Sequence, residues 1–522
     1  MKLLVLALTL ALTAHAQTKT AARQHPKLLV FIAVDQFRYD YLLRFRKDYN
    51  AGLARLLETG AVFTNANYQH FPTVTAVGHS TMLTGATPNI SGIVANEWWD
   101  REAGKDVTSV EDLDPSMKSL GAVTKTVGTP RRLLVSTLGD EMKMSGLWDS
   151  KVIGISIKDR SAILPSGRMA NAAYWFDPES GNWVSSTWYF DALPDWVAKI
   201  NNTRPADKFA GAQWKPLLEA GPPLKIMPDT KDKKLYVELE NSPYGNELIE
   251  ELVEAAIVKE KLGQRGALDL LTVSYSANDY VGHLVGPDDP QVRDMAIRTD
   301  RLLGKLFALL DSKVGRSNYI VGFTADHGVA PVPEVQKARK MPGQRLNATD
   351  VKVAINARLS ELYGEGEWVV NKNFDAPCLN AGLAAARKVS MADARTQAAE
   401  AVRRLPGIMR VYTRDQIVEG RLVLDSVGLR IANGYFPERS PDLVIVTEPY
   451  SFFTTKTTGT THHSAFGYDT HVPLILMGTP FKAGNYHGTA AVNDMAPTLA
   501  TVVGVEIPSG SVGRTLVEAL VN

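Results

Sequence analysis

The residues of this chain best suited to chemistry are aspartates and histidines that sit just after apolar runs. Asp35 follows Leu28–Val34. Asp279 and His283 follow the run 270–275, and Asp326 and His327 follow 319–323 inside Thr-Ala-Asp-His-Gly. His462 lies in the Gly/Thr-rich segment Thr-Thr-Gly-Thr-Thr-His-His. Mixed carboxylate and imidazole donors suit a divalent cation, with zinc favoured and manganese chemically admissible. Their dispersal along the chain means that only a fold can bring them together. Asp279 and His283 are spaced for one helical turn or a compact loop. His463 competes with His462, and local spacing does not separate them. His79, His471 and His487 read as structural.

Four further residues could handle an anion. Thr75 lies in Phe-Pro-Thr-Val-Thr-Ala-Val-Gly-His-Ser-Thr, where a loop is expected to enter a helix near Ala76. A helix start presents N–H donors and the positive end of its dipole. A threonine hydroxyl becomes a nucleophile only when a metal or base activates it. The plainer reading of Thr75 is an N-cap, with Thr73 and Thr81 as local competitors. Lys158 and Arg160 end the run 152–157; in an extended segment they face the same way and can converge on one anion. The alternative is a solvated strand end. Asn96, in Gly-Ile-Val-Ala-Asn-Glu-Trp-Trp, can donate to a phosphoryl oxygen without adding charge, or serve as a turn residue.

These residues need strands to carry them. Strand-like runs recur at Leu28–Val34, 152–157, 270–275, 319–323, Leu443–Thr447 and 472–477, most of them continuous and rich in Val, Ile and Leu. Helical patterns lie between, at 247–262 and 291–310. The alternation predicts an α/β fold with a mostly parallel central sheet flanked by helices on both faces, with ligands at the carboxyl ends of strands. Residues 165–240 and 331–440 do not fit the alternation and read as insertions beside the site. The second contains an expected helix at 391–405 with Ser390 and Asp393 placed as a capping box. The chain thus divides into a core of 24–330 and 441–520 and a cap-like insert of 331–440.

Composition narrows the setting. The chain has 522 residues, 57 basic and 56 acidic, for a net charge of +1, which argues against nucleic acid as a structural partner. Residues 1–16 read as an export signal: Lys2, an apolar stretch from Leu3, and Ala14-His15-Ala16 as the cleavage site. The stretch is too short for a comfortable membrane span, so no anchor is expected after cleavage, and the compartment is periplasmic or secreted. Cys378 is the one cysteine, so no internal disulfide can form.

Taken in order, these motifs resemble the alkaline phosphatase superfamily, specifically its type I phosphodiesterase/nucleotide pyrophosphatase branch and the PafA-type bacterial alkaline phosphatases within it. The likeness runs from about residue 27 to about 516 and includes Asn493-Asp494-Met495-Ala496-Pro497-Thr498-Leu499, Gly504 and Gly513-Arg514-Thr515-Leu516. The resemblance implies that Thr75 is the nucleophile. It implies that Asp279, His283 and His462 hold one zinc, and that Asp35, Asp326 and His327 hold another that Thr75 also touches. It favours His462 over His463, because His462 lies seven residues before Asp469. Asn96, Lys158 and Arg160 match the phosphate-binding trio of the monoesterase members; the diesterase members typically lack the Lys/Arg pair. The implied protein is a monomeric, exported alkaline phosphatase that turns small-molecule phosphate monoesters into alcohol and phosphate through a phosphothreonine. The alternatives are a phosphodiesterase on the same scaffold and an exported phosphate- or metal-binding protein without turnover. A sulfatase would need Cys or Ser in a C/S-x-P-x-R motif, and Thr75-Ala-Val-Gly-His79 is not one.

Overall fold

Seven consecutive apolar residues, Leu28–Val34, form strand β1, and all seven are buried. A strand covered on both faces has no solvent side to alternate with, so its sequence reads as a continuous run. The computed structural model describes residues 25–124, 126–147 and 149–521. The segment 1–16 read as an export signal lies outside the described residues.

Nine more strands join β1: β2 (Ala61–Phe63), β3 (Ser119–Leu120), β4 (Val152–Ser156), β5 (Ala172–Asp177), β6 (Asn182–Ser186), β7 (Asp269–Tyr275), β8 (Tyr319–Thr324), β9 (Leu474–Met477) and β10 (Gly484–Tyr486). They make one ten-stranded sheet in the order β10-β2-β9-β8-β1-β7-β4-β5-β6-β3. The central strands β8, β1, β7, β4 and β5 are parallel, and β9 and β6 run antiparallel to their neighbours β8 and β5. The fold is the expected α/β architecture. The amphipathic helices Pro243–Lys259 and Pro290–Lys313 bury their apolar positions in the same core as the sheet. Register matters for function: Val34 pairs with Tyr275 and Ala33 with Thr324. The carboxyl ends of β1, β7 and β8 are therefore level, and the residues that follow them emerge along one edge.

Three expectations need correction. Residues 165–240 do not form an insertion alone, because Ala172–Asp177 and Asn182–Ser186 extend the main sheet as a hairpin. The signal was the aromatic run Ala-Ala-Tyr-Trp-Phe, a good strand former, with all six residues of β5 buried. Leu443–Thr447 does form a strand, but it pairs antiparallel with Ile408–Thr413 away from the main sheet. Its Leu443 and Ile445 share a separate apolar cluster with Val351, Ile355, Leu359 and Trp368. Lastly, Lys158 and Arg160 do not share an extended segment. The strand ends at Ser156, Lys158 is the N-cap of the helix Asp159–Ser166, and Arg160 lies in that helix's first turn. The expected capping box at Met391–Arg403 is half present: the Ser390 side chain accepts from Asp393 N, and Asp393 accepts from the Ser390 hydroxyl.

Candidate active site

The level strand ends place three carboxylates within reach of one another. Asp35 leaves β1 with its N–H bonded to Tyr275 O at 3.1 Å. Asp326 follows β8 by two residues, and Asp279 sits in the first turn of the helix Ala277–Val285 beyond β7. All three are buried. Gln36, unremarkable in sequence, clamps two of them. Its N–H donates to Asp326 Oδ1 at 3.0 Å and its Nε2 donates to Asp279 Oδ1 at 2.6 Å. Gln36 adopts φ +61°, and Gly282 must lack a side chain because a Cβ there would lie 1.9 Å from Gln36 Oε1.

Three imidazoles complete the set, each pinned the same way. Nδ1 of His283 bonds Thr460 O at 2.9 Å, Nδ1 of His327 bonds Gly328 O at 2.9 Å, and Nδ1 of His462 bonds Thr73 O at 2.7 Å. A carbonyl only accepts, so each Nδ1 carries a proton and each Nε2 is the atom turned to the site, the arrangement metal-binding histidines adopt. The Nε2 atoms point at the carboxylates: His283 lies 3.1 Å from Asp279, and His327 lies 3.3 Å from Asp326 and 3.7 Å from Asp35. Two compact donor groups result, Asp35–Asp326–His327 and Asp279–His327–His462, with ligand atoms within 4.8 Å of one another in each. The first is the trio expected from sequence. The second differs, with His327 in place of His283, because the His327 and His462 rings stack at 3.5 Å while the His283 ring stands 5.0 Å from His462. His463 points elsewhere, edge-on to Phe71 at 5.6 Å.

The charge balance of this cluster fits a bound cation. Lys158 Nζ sits 2.6 Å from both Asp35 Oδ2 and Asp279 Oδ2, the one lysine bridging the two groups. Asp35 Oδ1 and Asp326 Oδ2 are buried without a hydrogen-bond partner. Burial and the neighbouring Asp326 carboxylate push Asp35 up to about 7, against the pull of Lys158. Burial also opposes ionisation of Asp279, but His283 and Lys158 outweigh it and hold Asp279 well below the usual carboxylate range. Buried, incompletely compensated carboxylates beside inward-facing Nε2 atoms are the donor chemistry of a divalent metal site.

Thr75 opens the helix Thr75–Thr84 at this edge, with its hydroxyl 3.5 Å from His327 Nε2. It is not the cap: Val74 occupies that position and no side chain caps the helix. The whole helix is buried, and Gly78 lets it press on the Asp326 backbone, where a Cβ would come within 2.2 Å of a carbonyl. Asn96 accepts from Ala76 N at 2.8 Å, which assigns its amide and leaves its Nδ2 as the donor group. His79 is a structural residue with a definite place: it bonds Thr75 O and Ser274 Oγ at 2.9 Å each and lies 3.4 Å from Asp326 Oδ2, so it braces Thr75 and the Asp326 carboxylate together. Arg160 keeps its buried Nε without a partner. Beyond the cluster a cavity opens, lined by Asn96, His283 and His462 together with Asp375 and Ile445.

Residues 29–469 match the type I phosphodiesterase / nucleotide pyrophosphatase family. The chain is similar to alkaline phosphatase PafA of Elizabethkingia meningoseptica, 33% identical over 96% of each chain. It is also similar to alkaline phosphatase PhoV of Synechococcus elongatus, 34% identical over 100% of each. The crystal structure of wild-type alkaline phosphatase PafA superposes with a TM-score of 0.86 at 32% identity, covering 95% of this chain and 99% of that one. With the site's edge, donors and threonine in place, the chain belongs to the type I phosphodiesterase / nucleotide pyrophosphatase family, among its PafA-like alkaline phosphatases.

Proposed function

We propose that this chain is an exported, monomeric alkaline phosphatase that hydrolyses phosphate monoesters through a phosphothreonine at Thr75. The observation that carries the reading is the placement of the Thr75 hydroxyl, at a helix start, against the buried Asp/His cluster with Lys158 beside it. Relatives named alkaline phosphatases at 33–34% identity over nearly the full length support a monoester substrate. Among the described residues no helix is long and apolar enough to cross a membrane.

Asp35, Asp326 and His327 would hold one divalent cation, zinc by donor type, next to Thr75; Asp279, His283 and His462 would hold a second. Bound there, the metals supply Lewis acidity to the entering and leaving oxygens of an in-line displacement. The chain's own residues do the rest. Thr75 Oγ1 attacks phosphorus, the bond to the leaving oxygen breaks, and the alcohol departs. Water then attacks the phosphothreonine and frees Thr75 and inorganic phosphate. The first N–H groups of the Thr75–Thr84 helix favour the charge that collects on the phosphoryl group. Asn96 Nδ2, the third N–H of Lys158 Nζ and the Arg160 fork donate to the nonbridging oxygens. A diester has one fewer charge and a second substituent there, so this trio favours monoesters. His79 and Gln36 hold the carboxylates in place.

The test compares wild type with Thr75→Ala on an aryl phosphate monoester and its matching diester. Wild type is expected to prefer the monoester, and Thr75→Ala to lose on the order of 10⁴-fold or more in turnover. Preference for the diester, or full activity in Thr75→Ala, sinks the proposal.

A further inference from the structure

Asp375 is a half-buried carboxylate that the mechanism leaves unused. It belongs to the segment 331–440, yet it lines the cavity that also contains Asn96 and the proposed leaving-group ligands His283 and His462. It also lines a second, mostly apolar lobe with Phe71, Trp98 and His463, so it stands where the two spaces meet. Its Oδ1 is buried and has no hydrogen-bond partner. No lysine, arginine or histidine among the described residues pairs with it. The cation of that lobe, Arg439, is already committed, with Nη1 donating to Gly92 O at 2.6 Å and Arg132 O at 2.7 Å. The loop that carries Asp375 is held in shape: Asn371 Nδ2 donates to Asn373 O and Ala376 O, Asn371 Oδ1 accepts from Cys378 N, and Lys372 N reaches across to Asp106. Opposite it, His463 stands at φ +115° with its ring against Phe71. A buried acceptor that finds no donor in the protein is expected to find one in what enters the cavity.

We propose that Asp375 is a specificity-determining residue for the leaving group. It selects monoesters whose alcohol carries a hydrogen-bond donor near the ester, foremost an ammonium, and rejects alcohols that carry a second negative charge. The inference rests on the monoesterase reading above and adds the substrate class to it. The attraction and the rejection share one cause. A carboxylate in a partly desolvated wall gains a charge-assisted hydrogen bond from an amino alcohol, and repels a carboxylate or a second phosphate at the same place. The phosphoryl trio, which touches only the transferred group, cannot make this distinction.

Three small esters of matched size read it out: 2-aminoethyl phosphate, ethyl phosphate and carboxymethyl phosphate. The measured quantity is the ratio of kcat/KM between the first and the third, taken on a single preparation so that any loss of folded protein cancels. Wild type is expected to favour aminoethyl over carboxymethyl phosphate. In Asp375→Asn, which keeps the shape and removes the charge, the ratio is expected to fall about tenfold. In Asp375→Lys it is expected to invert, while Asp375→Glu keeps the wild-type order. Turnover of all three esters with a ratio that stays within about twofold in both Asp375→Asn and Asp375→Lys overturns this inference alone. No turnover of any ester by wild type overturns the monoesterase reading and this inference with it.

Discussion

The two ligand sets proposed for the metals, Asp35–Asp326–His327 and Asp279–His283–His462, come from different kinds of structure. Asp35 and Asp326 come directly off adjacent parallel strands, and Asp35, Asp326 and His327 are all fully buried. Asp279 and His283 come from a helical turn and His462 from a Gly/Thr-rich loop that borders the cavity, where the His283 side chain keeps 26% of its exposure. The first set is rich in carboxylate and fully closed; the second is rich in imidazole, with Asp279 and His462 buried and His283 reaching solvent. A strand end holds a carboxylate firmly in place, whereas the proposed leaving-group side has to admit alcohols of different shapes. The difference assigns chemistry to the sheet and tolerance to the loops.

If that contrast is real, metal removal separates the two groups. Chelation is expected to abolish turnover completely, and to do so in two stages. The first equivalent should leave from the open group and take the activity with it. The second should leave more slowly from the buried group and lower the melting temperature, because there it satisfies Asp35 Oδ1 and Asp326 Oδ2. Metal content, turnover and melting temperature followed on the same samples check this; simultaneous loss of both equivalents breaks the comparison.

Ligand substitutions should be unequal as well. Asp326→Asn is expected to cost on the order of 10³-fold in kcat/KM, since it disturbs the metal, the Gln36 clamp and the His79 brace together. His283→Gln is expected to cost about 10–100-fold, as its neighbour Asp279 retains Gln36 and Lys158. Equal losses in the two variants would show that exposure and bracing do not matter here.

How much of this was legible in the sequence depends on what each feature rests on. Apolar runs mark buried strands, so the residues just past Val34, Tyr275 and Thr324 were readable as one edge of a sheet. What no run reveals is the register that makes those ends level. The sharing of His327 between the two groups, with its ring stacked on His462, also needs the fold, because the two lie far apart in the chain. Gln36 escaped notice because its role depends on a left-handed backbone and on the absence of a side chain at Gly282. Lys158 and Arg160 were read into the wrong geometry, an extended segment in place of a helix start. Asp159 in the first helical turn was the overlooked signal, since an acid there favours a helix start over a longer strand.

The Lys/Arg pair gives an effect comparable to that of His283→Gln. Lys158 is bound up with Asp35 and Asp279, while Arg160 has a buried Nε to offer. Arg160→Ala is therefore expected to lower monoester kcat/KM by about 10²-fold and diester kcat/KM by less than about tenfold. Equal effects on the two esters would mean that Arg160 does not count phosphoryl charge.

The smallest effect, and the one that most directly contrasts the two groups, is the pH dependence of stability in the metal-free protein. Asp35 is raised from 3.8 to about 7 by burial and by Asp326. Between those values the folded state holds a proton that the unfolded state has released, so this carboxyl's contribution is present at low pH and lost as pH rises toward 7. His462 is lowered well below 6.5 by burial and by the neighbouring His327. Below 6.5 the unfolded state takes up a proton that the folded state refuses, so this imidazole's contribution is present above 6.5 and lost as pH falls. The slopes have opposite signs. Relative to the wild-type apoprotein, Asp35→Asn should gain melting temperature steadily from pH 4 to pH 7, and His462→Gln should gain it from pH 6.5 downward. Each shift is expected to be a few degrees and to vanish when metal is restored, because a bound cation replaces the proton at Asp35 and excludes it from His462. Parallel slopes in the two variants would mean that one group's charges set the stability of both sites, and the division between a buried carboxylate site and an open imidazole site would fall.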